Sequence, residues 1–83
     1  MMRPIEPPFD LFIESKMVRV VEYVIGAKRV FRVDYNDSKK PLTITVAIGP
    51  NNKKFWTSIP EGRQAEAVQI GRLIADHIRD KQI

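Results

Sequence analysis

The chain has 83 residues, 43% of them apolar, with 14 Lys and Arg against 10 Asp and Glu and a formal net charge of +4. That length makes one domain with a thin core, and the apolar share argues against a disordered chain. The absence of cysteine excludes a disulfide framework and thiolate metal sites.

No run approaches the roughly 18–20 apolar residues of a membrane span. The opening stretch MMRPIEPPFDLF has no apolar core of signal-peptide type. The expectation is a soluble, cytoplasmic protein with no membrane contact. The small cationic excess leans towards an anionic partner, although such a charge also serves solubility alone.

Residues 1–8 (MMRPIEPP) hold three prolines, which remove amide donors and bias their predecessors to extended geometry. Residues 1–15 are therefore expected to form an extended arm ahead of a single α+β domain over residues 16–83. Ile5, Phe9, Leu11 and Ile13 give that arm an apolar side suited to a sheet edge or a partner, and residues 9–14 could begin a strand. Lys16–Ile25 (KMVRVVEYVI) and residues 28–35 (KRVFRVDY) are rich in valine and aromatics, which favours strands. Gly26-Ala27 between them reads as a tight turn, with Gly26 at positive φ. Residues 36–41 (NDSKKP) are a second turn, dense in side chains that bond their own backbone.

Leu42–Ile48 (LTITVAI) alternates Leu42, Ile44, Val46 and Ile48 with Thr43, Thr45 and Ala47, the pattern of a strand with one buried face. Residues 49–54 (GPNNKK) form a third turn, and residues 55–58 (FWTS) a short last strand. Ser58 through Glu61 have capping-box spacing with a proline in the first turn, and Gly62 delays the helix to Arg63 or Gln64. Residues 63–81 are a helix with Ile70, Ile74 and Ile78 on one ridge and the small residues Ala67, Gly71 and Ala75 beside it. Glu66, Gln69, Arg72, Asp76, Arg79 and Asp80 lie opposite. At roughly 28 Å this helix can lie across strands of about 23 Å. The fold expected is a four-stranded antiparallel β-meander followed by one C-terminal α-helix packed across one sheet face.

Catalytic residues are scarce. The single histidine, His77, falls on the helix flank near Leu73 and reads as a flank residue. Ser15, Ser38 and Ser58 have no base in a nucleophile constellation. Asp76 and Asp80 belong to the polar helix face with Arg79 between them, and GPNN lacks the glycine count and lysine of a phosphate loop. No catalytic site, no cofactor and no metal site is expected.

The sheet carries the functional expectation. With the helix over Leu42, Ile44, Val46 and Ile48, the other face shows Thr43, Thr45 and Ala47. Neighbouring strands contribute Arg19, Tyr23, Arg29, Arg32, Lys53, Lys54 and Trp56 as candidates for binding nucleic acid. Aromatic rings stack bases while cations neutralise phosphates. Alternation assigns Phe55, Thr57 and Ile59 to the helix and Trp56 and Ser58 to the open face. The inverted register places Trp56 inward and Phe55 under the arm.

The order β-β-β-β-α, the apolar helix and the basic sheet resemble the single-strand-binding transcriptional coactivators of the positive-cofactor-four type. The likeness is one of layout over about residues 16–81, with its nearest local echo at residues 56–61 (WTSIPE), and no family residue is carried over. The resemblance implies a homodimer built through the helices, with paired sheets gripping single-stranded DNA or RNA. Ile70, Leu73 and His77, which broaden the apolar helix band, are the candidate dimer interface. The competing expectation is a protein–protein interaction module that uses the C-terminal helix or an edge strand without nucleic acid.

Overall fold

The computed structural model describes residues 4–37 and 39–81. The first three residues of the expected arm and Ser38 of the second turn lie outside the described residues. Five strands form one antiparallel sheet in the order β1-β2-β3-β4-β5: β1 Phe9–Ile13, β2 Lys16–Ile25, β3 Lys28–Asp34, β4 Leu42–Ile48 and β5 Lys54–Ser58. One helix, α1, spans Gln64–Lys81. The sheet is thus a meander, as its short turns require, but it has five strands where four were expected.

The additional strand is β1, which pairs with β2 from Phe9↔Val20 to Ile13↔Lys16. The turn between them is Glu14-Ser15, both at positive φ (49° and 66°). That backbone is the one a two-residue hairpin needs, yet neither residue is the glycine or asparagine that usually announces it. The other turns follow their chemistry. Gly26 sits at φ 62°, and the carboxylates of Asp34 and Asp37 accept from the backbone N–H groups of Asn36 and Lys39. Pro50–Asn52 form a tight turn with Asn51 and Asn52 at φ 61° and 59°. The Lys53 N–H donates to the Pro50 carbonyl at 3.4 Å, and the Gly49 N–H donates to the Lys53 carbonyl at 2.8 Å across the ends of the loop.

Alternation along each strand decides what α1 covers. Val18 and Val20 of β2, Phe31 and Val33 of β3, and Leu42 and Ile44 of β4 are all buried beneath Ala67, Ile70 and Ile74 of the helix. The isoleucine ridge therefore faces the sheet as its spacing predicts. The helix starts at Gln64 because Ser58 prepares its first turn. The Ser58 hydroxyl accepts from the Arg63 N–H at 3.1 Å and donates to the Pro60 carbonyl at 2.9 Å. This satisfies one of the amides that a helix N-terminus leaves open.

The register of β5 overturns the expected facing of Trp56. Val46 pairs with Trp56 and Ile44 with Ser58, so Trp56 and Ser58 lie on the helix side, and Phe55 and Thr57 lie on the open side. The reason is the small-residue ridge. A Cβ added to Gly71 would overlap the Trp56 ring, so the helix leaves at that point the space an indole needs. Phe31 meets the ring edge-on at 5.8 Å between centroids, a favourable aromatic geometry. Phe55 packs over Gly49, where a Cβ would come within 2.9 Å of its ring, and not under the arm.

The arm is tied down on the helix side. The Glu6 N–H donates to Glu22 Oε1 at 2.7 Å, Arg29 reaches the Pro4 carbonyl at 3.4 Å, and Lys81 Nζ lies 3.1 Å from Glu6 Oε1. Glu22 itself is 4% exposed, an unusual place for a carboxylate. Arg29 Nη1 at 3.3 Å and the Glu6 amide offset its loss of water.

Candidate nucleic-acid interface

No helix among the described residues covers the face of the sheet away from α1. Its cross-strand rows follow from the ladder registers: Tyr23, Val30, Thr45 and Thr57 in one, and Val21, Arg32 and Thr43 in the next. Val30 and Thr45 are nearly closed off, at 1% and 2% exposure. Thr45 also donates from Oγ1 to the Arg29 carbonyl at 2.6 Å. Around that floor stand the exposed side chains of Phe12, Met17, Tyr23, Ile25 and Phe55.

Of the seven nucleic-acid candidates, three share this face: Arg19, Tyr23 and Arg32. Arg19 is shared with Asp10, Nε to Oδ1 at 3.2 Å in an exposed pair, and lies across from Asp34, so an anionic partner there meets two carboxylates as well as the guanidinium. Arg32 is exposed and makes no ion pair among the described residues. Tyr23 is 44% exposed with its ring over the Val30 row. Arg29 and Trp56 are instead on the helix side, and Lys54 shares the Trp56 side at the start of β5. Lys53 is exposed in the turn that precedes it. The single aromatic-cationic platform expected from the sequence is therefore divided between two faces.

Two shallow cavities, one on the open face and one at the sheet end where β5 runs into α1, meet at Arg32 and Thr43. One, about 330 Å³, runs up to Tyr23, Ile25 and Val30. The other, about 480 Å³, runs down to Lys40, Pro41 and the Ile59-Pro60 bend. Together they make a track with a ring at one end, an unmatched guanidinium at its middle, and Lys40, Glu61 and the Glu66-paired Arg63 at the other end. Lys40 and Ile25 were not among the sequence candidates. The alternation of Met17, Arg19, Val21, Tyr23 and Ile25 along β2 was the signal for Ile25. Lys40 lies in a turn, where sequence pattern assigns no face.

The candidate dimer residues are engaged within the chain. Ile70 is 3% exposed in the core, and Leu73 packs against that core. The His77 ring stacks on Phe9 with centroids 4.0 Å apart and planes 8° from parallel. Its Nε2 is buried without a hydrogen-bond partner among the described residues. The breadth of the helix band is explained by the fifth strand: β1 brings Phe9, Leu11 and Ile13 to the flank that four strands would have left bare.

At the other end of α1 the titratable groups are mutually satisfied. Glu66 accepts from Arg63 at 3.1 and 3.0 Å and from the Tyr35 hydroxyl at 3.1 Å, with Lys39 Nζ 3.2 Å away. The Arg63 guanidinium, with help from Lys39 and Tyr35, holds the Glu66 carboxyl down to about 2. Burial, then the hydrogen bond to Glu66, pushes the Tyr35 phenol up to about 12. Lys39 lies 4.5 Å from the centre of the Tyr35 ring, and Arg63 also reaches the carbonyls of Lys40 and Pro41. These bonds brace the helix start against the second turn and the end of β3.

Among the described residues no group of three or more His, Asp or Glu could hold a metal ion, and no helix is long and apolar enough to cross a membrane. Comparison of the chain with family models, with curated proteins and with solved structures gives no match.

Proposed function

We propose that the chain is a non-catalytic binding protein that takes single-stranded DNA or RNA across the open sheet face and works as a homodimer. The observation that carries the reading is the track from Tyr23 through Arg32 to Lys40, with its one unmatched guanidinium at the middle. A base stacks on Tyr23, a phosphate meets Arg32, and the Thr43 hydroxyl in the same track offers a hydrogen bond without sequence preference. The order from β2 to α1, which resembles the layout of the single-strand-binding transcriptional coactivators although β1 adds a strand to it, supports the same reading as analogy. With Ile70, Leu73 and His77 used inside the chain, the homodimer falls to the edge strands β1 and β5.

The test is a salt-series titration with single- and double-stranded oligonucleotides. We expect preference for single strands. Tyr23→Ala should lose about 1–3 kcal/mol, and Arg32→Ala should lower the salt slope by roughly 0.7. Absence of binding at low salt would reject the reading. A chain that is monomeric by light scattering at high micromolar concentration would remove the homodimer alone.

The second reading is a protein–protein interaction module. It is favoured by Phe12 and Met17, paired across the β1–β2 ladder and 68% and 53% exposed, next to an edge strand open to another chain. Unchanged behaviour of the Tyr23 and Arg32 variants, together with partner binding abolished by Phe12→Ser, would select it.

A further inference from the structure

The ladder between β3 and β4 stops at Val30↔Thr45, although β3 begins two residues earlier and β4 continues to Ile48. Beyond that rung β3 stays with β2, through Arg29↔Val24 and Lys28↔Ile25. Over the same stretch β4 stays with β5, through Val46↔Trp56 to Ile48↔Lys54. The two halves of the sheet therefore part, and the fork is roofed by the last turns of α1. The cavity inside is about 580 Å³, within the range of sites for small molecules.

Its walls are apolar: Phe31 and Trp56 at the closed end, Val46 on one side, and Ala75 and Ile78 from the helix. The ionisable residues among those lining it are Lys28, Arg29 and Arg79, all cationic, with no carboxylate among them. Arg29 is shared with Glu22 and the Pro4 carbonyl, so the charge available to an occupant comes from Lys28 and Arg79. Arg79 is shared between Asp76 at 3.0 Å and Asp80 at 3.9 Å, both pairs exposed; such pairs hold weakly, so a buried carboxylate competes with them for the guanidinium.

We propose that this fork is a binding site for a small amphipathic carboxylate, its acyl or aryl body against Phe31, Trp56 and Ile78 and its carboxylate towards Arg79 and Lys28. An apolar body fits the walls, and an anionic head is the one charge that the lining residues attract. A purely apolar occupant would leave the cationic rim unused, and a cationic amphiphile would be repelled. The site shares neither Tyr23 nor Arg32 with the open face and does not depend on nucleic-acid binding.

Trp56, the chain's one tryptophan, lines the cavity and reports its occupant. We expect dodecanoate, titrated below micelle formation, to change Trp56 emission saturably, and dodecyltrimethylammonium to leave it unchanged. Ala75→Phe, at an exposed helix position, should fill the cavity and abolish the change while oligonucleotide titrations and the melting temperature stay as in wild type. Arg79→Glu should weaken dodecanoate roughly threefold to fivefold, the scale of one exposed ion pair. Equal response to both amphiphiles, or an Ala75→Phe variant that binds dodecanoate like wild type, would overturn the site. So would an emission that shifts with protein concentration alone, since the occupant would then be a second copy.

Discussion

Gly71 on α1 lies so close to Trp56 on β5 that a single added carbon would overlap the indole. Two effects oppose each other in Gly71→Ala. Alanine favours the helix by about 1 kcal/mol, whereas crowding a packed contact costs about 1–3. The overlap reaches three atoms of the ring at once, so the indole escapes only by giving up its helix contact for the adjoining cavity, and crowding wins. We expect Gly71→Ala to lower the denaturation midpoint, and a raised midpoint would show that the helix can shift away from β5.

Trp56→Ala should destabilise the fold by about 3 kcal/mol, since the ring is part of the helix–sheet contact. Single-strand binding on the opposite face should persist wherever the variant remains folded. Chemical denaturation and an oligonucleotide titration on the same sample separate the two outcomes. A loss of binding without a loss of stability would return Trp56 to the binding surface.

Ile74 is fully buried at the centre of the isoleucine ridge, and Asp80 is exposed near the helix end. We expect Ile74→Ala to cost about 2–5 kcal/mol and Asp80→Ala to be nearly neutral. Equal midpoints for the two would contradict the packed face.

The brace at the helix start sets a pH dependence with a definite sign. Glu66 is lowered from 4.5 to about 2, so its contribution is present above 4.5 and is lost as pH falls from there through about 2. Tyr35 is raised from 10.0 to about 12, so its contribution is present below 10.0 and is lost as pH rises through about 12. Melting temperatures should decline across both windows. Glu66→Gln should flatten the acid limb and Tyr35→Phe the alkaline one. Limbs unchanged in these variants would assign the pH dependence to other groups.

The meander and its helix are legible in the sequence because period two in LTITVAI and the Ile70, Ile74, Ile78 spacing each bury one face. What escapes is set by contacts between distant segments. Glu14-Ser15 forms its hairpin with left-handed backbone that its side chains do not announce. The phase of the FWTS strand depends on a partner 15 positions along: Gly71 signals a close approach, but only the register of β4 against β5 says that an indole is what approaches. Glu22 and Arg29 look like surface charges until the arm folds over them. For the candidate interface the same limit applies. Alternation groups Arg19 with Tyr23 along one strand, yet cannot say that Arg29 and Trp56 face the other way.

The contact between Lys81 and Glu6 spans 75 positions of the chain, whereas every rung of the sheet joins consecutive strands. Hairpins of that kind close short loops and can form early, while a tie between opposite ends of the chain waits until the helix is in place. Interactions made after the transition state slow escape from the native state without quickening its formation. A tie of that kind acts as a kinetic latch: we expect Lys81→Ala, which removes one of the arm's bonds and leaves those to Glu22 and Arg29, to speed unfolding modestly and leave the refolding rate as it was.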